Sequence, residues 1–120
     1  MWTDAIEPGV RAAGYEPIRI DKKDHNNRID EEIEAAIRRA RFLVADFTGQ
    51  RAGVYYEAGL AKGQFKQVVW LCREDHLGDV HFDTRQYNFL KWTPEKLNEL
   101  RSNLQNRIEA TLGRGPFRAA

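Results

Sequence analysis

The chain has 120 residues, 42% apolar and 31% charged, and nineteen basic against eighteen acidic side chains leave a net charge of +1. That suits one domain with a core of its own, and the charge balance gives no electrostatic ground for nucleic acid or a membrane surface as the main partner. A single cysteine, Cys72, excludes an internal disulfide and points to a reducing cytoplasm, while three scattered histidines (His25, His76, His81) lack zinc spacing, so neither metal nor cofactor is expected.

No apolar run reaches the length of a membrane span, and no signal peptide is expected ahead of the domain. Residues 3–14 read as a helix with Ile6, Val10 and Ala13 on one face, an irregular start at Pro8 and Gly9, and Gly14 at its end. "PIRI" (17–20) is a short strand candidate ahead of the polar loop "DKKDHNN". Ile29, Ile33, Ala36, Ile37 and Ala40 then recur at helical spacing, with Asn27 as N-cap and acids in the first turn. "FLVAD" (42–46), a continuous apolar run closed by an acid, reads as a buried strand. The loop "FTGQRAG" feeds a helix over 54–64, in which Gly59 and Gly63 are expected to allow close packing on the sheet. "QVVWLC" (67–72) is a second apolar strand, and "FLKW" (89–92) a short last one. Thr93 and Pro94 open a final helix with the stripe Leu97, Leu100, Leu104, Ile108 and Leu112. A single domain over 1–113 then gives way to a frayed tail, 114–120.

Strands alternating with helices give an α/β fold with a mainly parallel sheet. Such domains usually open on a strand, whereas this chain opens on a helix, so a first strand is expected to be missing from it.

In open parallel sheets ligands bind beyond the carboxyl ends of the strands. That rule selects Asp21, Asp46 with its following loop, and the "HFDTRQY" loop. Glu57 is expected in the first turn of the helix after the glycine loop, where the dipole favours an ionised carboxylate. A rigid carboxylate can attack or stabilise the cation-like sugar carbon formed when a glycosidic bond breaks. The plainer reading, which these residues taken alone favour, is that Glu57 only complements the dipole. Tyr55 and Tyr56 offer a stacking face for a base and a hydroxyl to steer the acid, and Gly49 and Gly53 admit a phosphate or sugar to the backbone. Asp30 is another first-turn acid, with the same two readings. Asp46 is either a reacting group or the cap of the next turn. His81, Asp83, Arg85 and Tyr87 form either a ligand-binding cluster or a loop satisfied by its own Asp–Arg pair. Trp70 and Trp92 read as core or rim residues, and Arg38, Arg39 and Arg41 as a solvated helix face.

The stretch "RIDEEIEAAIRRARFLVADFTGQRAGVYYEAGLAKG", followed by an apolar strand and "HFDTRQYNFLKW", resembles the nucleoside 2-deoxyribosyltransferase-like family. The resemblance runs from about Ile6 to Leu112, and "ADFTGQRAGVYYEAG" is its most specific part. Related Toll/interleukin-receptor (TIR-like) domains share the sheet and a glutamate set against an N-glycosidic bond. The resemblance implies a flavodoxin-like three-layer sandwich of about four to five strands, order 2-1-3-4-5. It implies a pocket for a nucleoside, a nucleotide or an NAD-like small molecule, with Tyr55, Tyr56, Gly49, Gly53, Asp83 and Arg85 on the substrate.

Glu57 then matches the nucleophile that attacks the anomeric carbon, and Asp30 the acid that helps protonate the base. Arg51 stands where the transferases carry a second acid, leaving Asp46 or Tyr56 as substitutes. The implied activity is that of an N-glycosidase or deoxyribosyltransferase, with a non-catalytic TIR-like nucleotide sensor as the alternative. The family's central first strand would pair with both 17–20 and 42–46. Without it either those two strands pair directly or another chain covers their orphaned edges, and because the transferases often complete the pocket with a neighbouring subunit, the resemblance implies a homo-oligomer.

Overall fold

The apolar runs "FLVAD" and "QVVWLCR" pack on both faces, which is what a strand between two helical layers requires. A computed structural model describes residues 1–19, 29–48, 52–79 and 89–117. Three strands, β1 (Phe42–Asp46), β2 (Gln67–Arg73) and β3 (Leu90–Trp92), form a parallel sheet in that order. Phe42 lies opposite Gln67, Asp46 opposite Leu71, and Arg73 opposite Trp92. Parallel neighbours need long crossovers rather than tight turns. The helices are α1 (Glu7–Ala12), α2 (Ile29–Arg39), α3 (Ala52–Gly63) and α4 (Leu97–Leu112), and α3 makes the β1-to-β2 crossover.

Alternation along β2 sends side chains to opposite faces. Val69 and Leu71, with Leu90, pack against Val10 of α1, against Ala13 at its end, and against Leu100, Leu104 and Ile108 of α4. Trp70 and Ala45 meet Phe47 and Ala58 on the other side, where Ile37 of α2 and Ala61 of α3 also pack against Leu43 and Val68. Phe47 stacks on Trp70 with ring centroids 4.9 Å apart. Gly9 sets the distance between α1 and α4, since a Cβ there would lie 3.0 Å from the Arg101 carbonyl oxygen.

The opening helix is irregular at its start: a π-helical turn, Trp2–Ile6, runs into α1 with Pro8 in its first turn. Gly14 ends it at φ 96°, a conformation that suits glycine. Over its described residues the "PIRI" strand does not form: Pro17–Arg19 lie outside the sheet and Ile18 is exposed. Proline brings no N–H to a ladder, and the Arg19 guanidinium lies instead over the Trp2 ring, 5.7 Å from its centroid. The described residues therefore hold three strands rather than about four to five, and none of them pairs with the outer edge of β1.

Helix α3 begins at Ala52, earlier than residue 54. Gly59 and Gly63 are not packing glycines: both are exposed, and a Cβ at either meets nothing within 4 Å. The helix ends in a Schellman motif, with Lys66 N–H donating to the Ala61 carbonyl at 2.9 Å and Phe65 N–H to Lys62 at 2.9 Å. Phe65 takes the left-handed position at φ 62°.

Residues 114–117 are not frayed. Gly115 N–H donates to Ala13 at 2.8 Å, Phe117 N–H to Gly14 at 3.0 Å, and Arg114 to the Ala12 carbonyl at 3.1 Å. The Tyr15 hydroxyl closes this clasp on the Gly113 carbonyl at 2.8 Å.

Candidate functional site at the carboxyl edge of the sheet

All three strands end at the same edge, and their last residues are Asp46, Arg73 and Trp92. Asp46 Oδ1 accepts hydrogen bonds from Thr48 N–H at 3.2 Å, Thr48 Oγ1 at 2.7 Å and Trp92 Nε1 at 3.4 Å. The Thr48 hydroxyl oxygen in turn accepts from Arg73 N–H at 2.8 Å. One carboxylate and one hydroxyl thus tie the ends of β1, β2 and β3 together. Asp46 caps the following turn through Oδ1, and Oδ2 receives no hydrogen bond among the described residues.

Arg73 carries charge at the same edge. Its Nε donates to Asp75 Oδ1 at 2.6 Å, and its Nη2 donates to His76 Nε2 at 2.6 Å. The hydrogen bond to Asp75 raises the Arg73 pKa above its ordinary value, against an opposing effect of desolvation. In return, the hydrogen bond from Arg73 holds the Asp75 carboxyl below its ordinary range.

Glu57 lies in the second turn of α3, not the first, because the helix starts at Ala52. The dipole effect fades within the first turn, so the helix end does not account for this acid. Its side chain is half-buried, with Oε1 shut off from solvent. The neighbouring Ala58 packs with Ala45, Phe47 and Trp70. Because α3 leaves the carboxyl end of β1, Glu57 belongs to the upper part of the helix, on the same side of the sheet as that cluster.

The backbone of Asp30 lies at the start of α2, and those of Gly53, Tyr55 and Tyr56 lie in the first turns of α3. The side chains of Asp30, Tyr55 and Tyr56 are outside the described residues, as are Asp21, Gly49, Arg51 and the whole of 80–88 with Asp83 and Arg85. Thr48, Arg73 and Trp92 were not singled out as site residues by sequence. The available signal was position: each ends a strand or follows one directly. Trp92 is half-buried at the rim and Trp70 is buried in the core.

A shallow cleft of about 160 Å³ opens beside β3 and the start of α4, lined by Glu74, Lys91, Trp92, Thr93, Lys96 and Glu99 among others. It is smaller than the roughly 300 Å³ at which small-molecule sites begin, and neither Asp46 nor Glu57 lines it. Among the described residues no group of three or more metal-binding side chains occurs, and no helix is long and apolar enough to cross a membrane. No protein-family model, curated protein or solved structure matches this chain.

Proposed function

We propose that the protein acts on the N-glycosidic bond of a nucleoside, a nucleotide or an NAD-like molecule, with Glu57 as nucleophile or as stabiliser of the oxocarbenium carbon. The observation that carries this reading is the place of Glu57: a half-buried carboxylate with one oxygen out of solvent, on the helix that leaves the carboxyl end of β1. A carboxylate so held keeps little rotational freedom, which favours in-line attack on a sugar carbon. Asp30 is the acid assigned to the leaving base. Tyr55, Tyr56, Gly49, Gly53, Asp83 and Arg85 are the residues assigned to the substrate. The same reading holds the domain to be a flavodoxin-like sandwich and a homo-oligomer.

Incubation with deoxynucleosides, deoxynucleotides and NAD, followed by chromatography for free base, tests it. Base release by the wild type that disappears in Glu57→Gln is the expected result. No release from any of the three classes at high enzyme concentration overturns it.

A second reading has one observation in its favour. The Asp46 carboxylate is engaged by Thr48 and Trp92 and serves the architecture of the edge, which suits a domain that binds a nucleotide without turning it over. Such a domain gains thermal stability from the nucleotide and returns it intact.

A further inference from the structure

Two helix exits repeat one pattern in which a base and a glycine precede a phenylalanine and a second base. Lys62-Gly63-Gln64-Phe65-Lys66 leaves α3, and Arg114-Gly115-Pro116-Phe117-Arg118 follows α4. Both phenylalanines come to the amino-terminal end of the sheet. Phe65 stands just ahead of β2. Phe117 N–H is bonded to Gly14, beside Tyr15, whose ring packs edge-on against Phe42 at the start of β1.

Neither ring is packed away: Phe65 is 96% exposed and Phe117 57% exposed. Phe65 also occupies a left-handed backbone position that a bulky side chain rarely takes. The strain therefore presents an aromatic ring to solvent rather than seating one in the core. Arg38 and Arg39, in the last turn of α2, and Arg41, before β1, are exposed at the same end, and Lys66 is half-exposed there. Among the described residues the acids near this end are Glu16 and Glu109, and Glu109 already pairs with Arg114 at 3.3 Å. Among the described residues, bases outnumber acids at this end, which a whole-chain charge of +1 does not reveal.

We propose that the amino-terminal end of the sheet docks on an anionic lipid bilayer, with Phe65 and Phe117 entering the boundary between headgroups and acyl chains. The basic side chains around them lie against lipid phosphates, an attraction that salt screens. Two projecting rings on separate turns suit a bilayer, which accepts them wherever they fall along a plane. A folded partner would need a matching pocket for each. Docked this way, the carboxyl edge with Asp46, Arg73 and Glu57 faces away from the membrane into water.

Co-sedimentation of the full chain with phosphatidylcholine vesicles, with and without phosphatidylserine, tests this. Binding to the phosphatidylserine vesicles alone, weakened by added salt, is expected. Phe65→Asn combined with Phe117→Ser lowers it by at least about tenfold. Asparagine tolerates the left-handed turn, so Phe65→Asn alone keeps or raises its thermal midpoint while losing part of the binding. Three outcomes overturn the proposal: equal binding to neutral vesicles, wild-type binding by the double variant, or an oligothymidylate that binds this end more tightly than vesicles do and displaces them.

Discussion

The indole of Trp92, at the end of the last strand, donates to the carboxylate of Asp46, at the end of the first, and so reaches past the strand that separates them. The contact is long, at 3.4 Å, but Thr48 adds two shorter bonds to the same oxygen. This makes Asp46 a keystone of the carboxyl edge, and its structural and chemical roles can be separated.

Asp46→Ala removes the acceptor of all three bonds and leaves Thr48 and Trp92 donors to find water. It is expected to destabilise the fold by about 1–3 kcal/mol, read from urea unfolding. Asp46→Asn keeps an acceptor oxygen in the same place and recovers most of that loss. If the carboxylate also manages a proton in turnover, the Asn variant folds but releases base slowly.

Gly59→Ala is expected to stabilise the protein by about 0.5–1 kcal/mol. The residue is exposed in mid-helix, and an added methyl meets nothing within 4 Å, so only the backbone entropy of glycine is removed. A raised thermal midpoint is the measurement. No gain would mean that α3 needs that glycine for a contact.

Phe65→Gly relieves a left-handed phenylalanine at the helix end, where glycine is the usual residue. A gain of about 1 kcal/mol in unfolding free energy is expected, since the ring is exposed and surrenders no packing. Together with the vesicle experiment, this separates the stability and the binding roles of one side chain.

Leu104→Ala strikes the layer where α4 meets α1 and the sheet. Leu104 is fully buried in the cluster with Val10, Leu71 and Ile108. A loss of about 2–5 kcal/mol is expected, measured by denaturant midpoint.

The pair Arg73–Asp75 sets a pH dependence. Its hydrogen bond lowers the folded pKa of Asp75 below the ordinary 3.8. Its contribution is therefore present above that value and disappears as the pH falls through the lowered folded pKa. Arg73→Gln returns the Asp75 titration toward 3.8, which carbon-detected NMR would follow. Both groups are solvent-accessible, so the effect on overall stability is small.

Much of this architecture was legible in the residues. "FLVAD" and "QVVWLC" announce buried parallel strands because both faces are apolar, and the five-residue stripe of α4 delivers Leu100, Leu104 and Ile108 to the core. "PIRI" misled because alternation describes a strand only when a neighbour is there to pair with it, and Ile18 is exposed instead. Gly59 and Gly63 share a helical spacing that resembles a packing seam, yet that spacing alone does not say which face turns to the sheet. The first-turn placement of Glu57 failed by the two residues that α3 adds at its start. Thr48 and Arg73 stayed invisible because their importance comes from strand ends aligned in space, which no local pattern records. Asp46 was legible as a pair of alternatives, and geometry supplied the capping bonds of one of them.

The parallel sheet also bears on how the chain folds. β1, β2 and β3 are adjacent in space without a hairpin between any two of them. No pairing can therefore nucleate locally; each waits for an entire intervening segment to be reeled in, at the expense of loop-closure entropy. High contact order of this kind slows the search. The expected history is early helix formation in α4, followed by a rate-limiting step in which the crossover α3 brings β2 alongside β1.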